Sequence, residues 1–156
     1  GASTRQAVVN ALEHTGGTIC AAGVIMALAF GALLVGHTPA LNQIELHPTF
    51  QQRELRKLHE ELGIVTQSWS PLGQGDGLEN PAIKAIAEET GQPASAVIIR
   101  WHIQHGLSTI PKASSRDHIE ANFKALSFEL SDEQMARIDA LDSADGRMGP
   151  DPSEFC

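Results

Sequence analysis

Between residues 39 and 123, strand-like runs alternate three times with helical periodicity, and this alternation restricts the chain to βα units on a parallel sheet. The first run, residues 39–46, alternates in part and closes at His47-Pro48. A helical pattern follows, with Leu55, Leu58 and Leu62 on one face and Gly63 as its terminator. Residues 64–70 form the second strand, and a glycine-rich loop runs through residues 71–77. Asn80-Pro81 opens a helix carrying Ile83 and Ile86 that gives out near Thr90-Gly91. A further helix over residues 94–104 presents Val97, Ile98 and Trp101. The third strand is residues 107–110, and past Pro111, Lys112 and two serines a helix begins with Ile119 and Phe123 four apart. Ser131 to Gln134 reads as a capping box for a last helix with Met135, Ile138 and Leu141 facing inward, and an irregular tail starts at Asp145. Right-handed crossovers bring the loops after parallel strands to one end of the sheet. His47, residues 69–77 and residues 112–122 therefore share one rim.

Charge narrows the function. Among the first 40 residues only Arg5 and Glu13 are charged, so the net charge of -8 falls entirely in residues 41–156. An acidic remainder argues against a nucleic-acid partner. Cys20 and Cys156 supply neither a disulfide framework nor a metal spacing, which makes a reducing, cytoplasmic setting the default. Residues 19–35 are apolar throughout, and residues 17–36 are long enough as a helix to reach across a bilayer core. Gly23, Ala27 and Gly31 add a small-residue stripe suited to close helix approach. A buried helix of a soluble core is the alternative. Two segments are thus expected: residues 1–36, apolar, helical and membrane-capable, and residues 37–156.

The turn after the third strand has chemistry of its own. A helix N-terminus offers unpaired N–H groups and a positive dipole end, and Lys112, Ser114 and Arg116 add donors for an anion. The plainer reading is that Ser114 or Ser115 caps the helix and the cations are solvated.

Three motifs carry a resemblance. Residues 42–48 (NQIELHP), 68–73 (SWSPLG) and 110–123 (IPKASSRDHIEANF) together resemble the C-terminal part of an aldo-keto reductase, most closely bacterial members of the 2,5-diketogluconate reductase kind. The likeness spans about residues 37–155 and implies an α/β fold, a partial (β/α)8 TIM barrel of about three βα units. It also implies NADPH as cofactor and a small aldehyde or ketone as substrate. By the same likeness Gln43 hydrogen-bonds the nicotinamide carboxamide, and Trp69 stacks on the ring and borders the substrate with His47. Ser70 and Leu72 lie along the pyrophosphate, Lys112, Ser114 and Arg116 surround the adenosine 2′-phosphate, and Asn122 sits near the adenine. Ala113 stands where the family commonly has serine, and His118 where it often has arginine, so NADH remains an alternative cofactor.

No catalytic residue is assigned. The family's tyrosine acid lies on earlier βα units, and this sequence contains no tyrosine. His102 and His105, three apart on a helix, lack further ligands for a metal site. Residues 3–36 also resemble a membrane segment of resistance-nodulation-division transporters, the large mycobacterial membrane proteins. The alternatives to a reductase fragment are accordingly a membrane-anchored, non-catalytic module or a chimeric join near residues 35–38. A half barrel alone is expected to be inactive, to leave an apolar inner sheet face uncovered, and to self-associate through its open edges.

Overall fold

A computed structural model describes residues 40–154, all within the unit that begins at Ala40. The expected membrane-capable helix at residues 17–36 lies outside the described residues, as does the join near residues 35–38. Among the described residues no helix is long and apolar enough to cross a membrane.

Three strands form a parallel sheet in the order β1-β2-β3: β1 Leu41–Glu45, β2 Val65–Trp69 and β3 Ser108–Thr109. The register runs from Leu41 beside Val65 to Glu45 beside Trp69, then Gln67 beside Ser108 and Ser68 beside Thr109. The third strand is shorter than the sequence suggests. Leu107 N–H turns back to the His102 carbonyl, and Pro111 has no N–H with which to extend the ladder. With parallel strands joined through helices, the fold is an α/β partial barrel.

The helices are α1 Arg53–Glu61, α2 Asp76–Glu79, α3 Pro81–Thr90, α4 Ala94–Gln104, α5 Arg116–Phe123 and α6 Asp132–Asp139. Local chemistry sets their ends. Asn80 Oδ1 accepts the Ala82 N–H at 2.9 Å with Pro81 in the first turn, and Gly91 at φ 64° stops α3. Ser115 caps α5, and the Ser131–Gln134 capping box opens α6 as its letters imply. Asn80→Ala should cost about 1 kcal/mol, read as a shift of the urea midpoint without a change in slope.

The core lies between the sheet and the helices. Ile44 and Leu46 meet Ile83, Ile86, Val97, Ile98, Trp101 and Ile138, and all eight are buried. Polar clamps tie α6 to α4 behind this layer: Asp139 Oδ1 accepts Trp101 Nε1 and pairs with His105 Nε2, each at 2.8 Å. His102 bonds the carbonyls of Ile98 and Leu46, so the two histidines serve different partners.

Two helical faces are less covered than their spacing suggests, and one expectation, the apolar sheet face, is corrected. Leu58 and Leu62 are 48% and 64% exposed, and the buried residue of α1 is His59. The sheet surface beneath α1 presents Asn42 and Thr66, which bond His59 at 3.0 and 2.9 Å, so of that face Leu55 alone packs on the core and the imidazole takes the place of Leu58 and Leu62. Helix α5 buries none of its residues, and Phe123 is 69% exposed. The open sheet face is mixed rather than apolar: Gln43, Gln67 and Ser108 stand on it among Leu41, Val65 and Trp69, and Gln67 donates to Ser108 at 3.2 Å.

Candidate cofactor cleft

Because the three strands are parallel and adjacent, their C-terminal ends meet at one rim, and two of the following loops enclose a cleft of about 500 Å³. One wall is Ser70, Pro71, Leu72, Gln74 and Gly75 after β2. The other is Ile110, Lys112, Ser114 and His118 after β3. Ser70, Leu72, Lys112 and Ser114 are therefore brought together from two separate motifs. His118 joins them, with Ser114 Oγ 3.4 Å from its Nδ1.

Backbone strain marks the first wall. Ser70 at φ 50° and Gln74 at φ 51° lie in the left-handed region, as do Gly73 and Gly75. A non-glycine residue held there costs on the order of 1 kcal/mol and persists only where surrounding contacts enforce it. Here the Gly73 N–H bonds the Ser70 carbonyl at 2.8 Å and the Gly75 N–H bonds that of Leu72 at 3.1 Å. These two bonds close the loop into a tight coil along the cleft. On the second wall, Lys112 makes no hydrogen bond or ion pair among the described residues, so its three N–H donors are available.

Other expected residues sit elsewhere. Gln43 is exposed on the open sheet face, one strand over from Gln67 and Trp69. Trp69 is half-buried and abuts the tail: a Cβ on Gly149 would lie 2.5 Å from its Cη2 atom and 2.8 Å from Glu45 Oε2. Arg116 does not line the cleft and instead pairs with Glu120 at 2.7 Å on the surface of α5. Asn122 borders a separate cavity of about 200 Å³ with Thr109, Pro111 and Phe123, in which Thr109 Oγ1 is buried without a partner.

His47, expected beside the substrate, is fully buried and offers a ligand no surface. Its Nε2 faces Glu45 Oε1 at 3.2 Å and its Nδ1 meets Thr49 Oγ1 at 3.0 Å. The carboxylate takes the ring N–H, so Nδ1 accepts from the threonine hydroxyl. Burial pushes His47 below its ordinary value, against the pull of Glu45. Burial alone would raise Glu45, but the N–H groups of Met148 and Gly149, with His47, hold it below the ordinary carboxylate value. Glu45 thus fastens the tail across Trp69. Sequence reading missed this residue, although a carboxylate two positions before a histidine on a strand was a visible signal.

The family model of the aldo/keto reductase family matches residues 34–143. The chain belongs to the aldo/keto reductase family. Its residues are 52% identical over 120 positions to an aldo-keto reductase of Mycobacterium sp. (strain JLS), covering 77% of this chain and 43% of that one. Glyoxal reductase of Bacillus subtilis (strain 168) is 45% identical over 117 residues, covering 75% and 42%. The solved structure of a Gox0644 mutant in complex with NADPH superposes with a TM-score of 0.72 at 44% identity, covering 78% of this chain and 45% of that one. This aldo/keto reductase chain therefore spans less than half the length of the relatives it matches. A second family model, the MMPL family, matches residues 1–46 and overlaps the first from residue 34 onward.

Proposed function

We propose that residues 40–154 form the dinucleotide-binding side of an NADPH-dependent reductase of small aldehydes and ketones. The observation that carries this reading is the cleft between the β2 and β3 loops, with the uncommitted Lys112 beside Ser114 and His118 on one wall and a strained coil on the other. A lysine ammonium with hydroxyl and imidazole neighbours fits a phosphate of a dinucleotide, since these side chains supply charge and hydrogen-bond donors. NADPH, when bound, supplies the hydride. Lys112, Ser114 and His118 bind at the 2′-phosphate end, the Ser70–Gly75 coil lines the pyrophosphate, and Trp69, steadied by Gly149, presents its indole to the nicotinamide. Gln43 orients the carboxamide from the neighbouring strand, and Arg116 and Asn122 flank the adenosine from α5. His118 in place of a permanent cation weakens discrimination, so NADH binds too.

Hydride transfer to a carbonyl requires an acid for the developing alkoxide. The 156 residues contain no tyrosine, and His47 is sealed behind Glu45 and Thr49. In this reading the acid and most of the substrate pocket come from groups outside residues 40–154, and this stretch alone holds cofactor without turning over. The match of residues 1–46 to the MMPL family supports a second reading for the leading segment alone, as a membrane-inserting piece. Release of the chain by carbonate washing would count against it.

Titration with NADPH followed by tryptophan emission tests the cofactor reading. Trp101 is fully buried, so the change should arise at Trp69 and vanish in Trp69→Phe. Lys112→Ala should weaken NADPH by about tenfold or more, the worth of a charge-assisted hydrogen bond, and NADH much less. Unchanged emission at millimolar NADPH would discard the reading.

A further inference from the structure

A second cavity, of about 560 Å³, lies at the opposite end of the sheet from the cofactor cleft. Its walls are Arg53, Arg56 and Lys57 of α1, the residues from Gly63 that lead into β2, and His105 to Leu107 between α4 and β3. The strands begin there and end at the rim, so the two cavities do not share a mouth.

The basic side chains at this cavity are unequally committed. Arg53 donates Nε to Asp142 and a terminal N–H to Gln51 Oε1, both at 2.8 Å. His105 is held by Asp139, which also takes the Trp101 indole N–H. The side chains of Arg56 and Lys57 make no hydrogen bond or ion pair among the described residues, although Arg56 is half-buried. A guanidinium carries five N–H donors, and withdrawing it from water without an acceptor is unfavourable. Burial pulls Arg56 below its ordinary value, with Asp139, Asp142 and Glu60 opposing that pull and Arg53 adding to it. Among the described residues Glu60 is the one carboxylate on the cavity wall, against Arg53, Arg56 and Lys57, with Asp139 and Asp142 engaged by His105 and Arg53. An acidic protein with a concave basic surface has placed cations against its own overall field.

We propose that this cavity binds a small phosphorylated molecule, its phosphoryl group held by Arg56 in a forked contact and by Lys57 as a point charge. The fork of a guanidinium matches two phosphate oxygens, and the lysine adds charge without constraining geometry. The space exceeds a single phosphate, which leaves room for the group that carries it. Nothing in this assignment depends on the cofactor reading.

Inorganic pyrophosphate is the probe, added to the ¹⁵N-labelled full chain at constant ionic strength, with the amides of Gly63 and Gly106 and the Arg56 Nε–H followed by NMR. Saturable shifts at these groups are expected, with affinity reduced about tenfold or more in Arg56→Gln and less in Arg56→Lys, at an unchanged melting temperature. NADPH should leave Gly63 and Gly106 where they are. Shifts no larger than those from chloride, equal affinity in Arg56→Gln, or shifts confined to residues 112–118 would each overturn the site.

Discussion

Replacing Glu45 by alanine is expected to lower the melting temperature by more than about 10 °C, the largest single effect among the polar residues of the rim. The carboxylate is 1% exposed and accepts from His47 at 3.2 Å, from the Met148 N–H at 2.6 Å and from the Gly149 N–H at 2.9 Å. Truncation leaves one buried and two part-buried donors unanswered and opens a void under the tail. Removing one partner of a buried pair typically costs about 3–5 kcal/mol. Glu45→Gln keeps the shape and one acceptor oxygen, so it should lose roughly half as much. The defect also has a location: limited proteolysis should cut Glu45→Ala between residues 146 and 154 well before it cuts the natural chain. Intact tails in both proteins at equal digestion times would show that the carboxylate does not hold this segment.

Acid should destabilise the protein well before its surface carboxylates titrate, because of His102. Its imidazole is fully buried, and burial pushes it from 6.5 to about 4, against weaker help from the carbonyls of Ile98 and Leu46. One proton suffices for the 2.8 Å contact to Ile98, and the 3.3 Å contact to Leu46 does not repay a buried charge. The folded-state value is depressed, so below 6.5 the unfolded chain binds the proton first. Stability is complete above that pH, falls between 6.5 and about 4, and loses nothing further from this group below. The loss is about 3 kcal/mol at its limit. His47, also lowered, adds to the decline in the same direction, and Glu45 adds more once the pH passes below its ordinary value. Urea midpoints at pH 7, 5.5 and 4.5 read this directly, and His102→Met should flatten most of the slope while starting less stable. A midpoint constant from pH 7 to 4.5 would remove the argument.

Where the sequence was legible, the information was local. Asn80-Pro81, Gly91 and the Ser131–Gln134 box act within one helical turn, so their letters alone fix α3 and α6. The parallel order and shared rim followed from strand and helix alternation together with the handedness of crossovers. What was hidden depends on partners distant in the chain. The leucine stripe of α1 is the obvious apolar face, but the sheet beneath it displays Asn42 and Thr66, and only tertiary pairing shows that His59 is the residue to bury. Ile119 and Phe123 have helical spacing and yet no covering surface among the described residues. At the site, the motif holding Lys112 and Ser114 also holds Arg116 and Asn122. Neither of the latter two lines the cleft: Arg116 pairs with Glu120 and Asn122 borders a separate cavity, so one motif does not put all its side chains on one surface. The role of Glu45 requires knowing that residues 148 and 149 return to β1, which no local pattern announces.

In the proposed function two loops, separated by some forty residues, act as one dinucleotide cradle. Hydrogen–deuterium exchange of the full chain with and without saturating NADPH measures this directly. Peptides covering residues 70–77 and 110–118 should gain protection together, at one NADPH concentration dependence, and Lys112→Ala should shift both curves equally. Protection of one loop without the other, or of neither at millimolar cofactor, would contradict it.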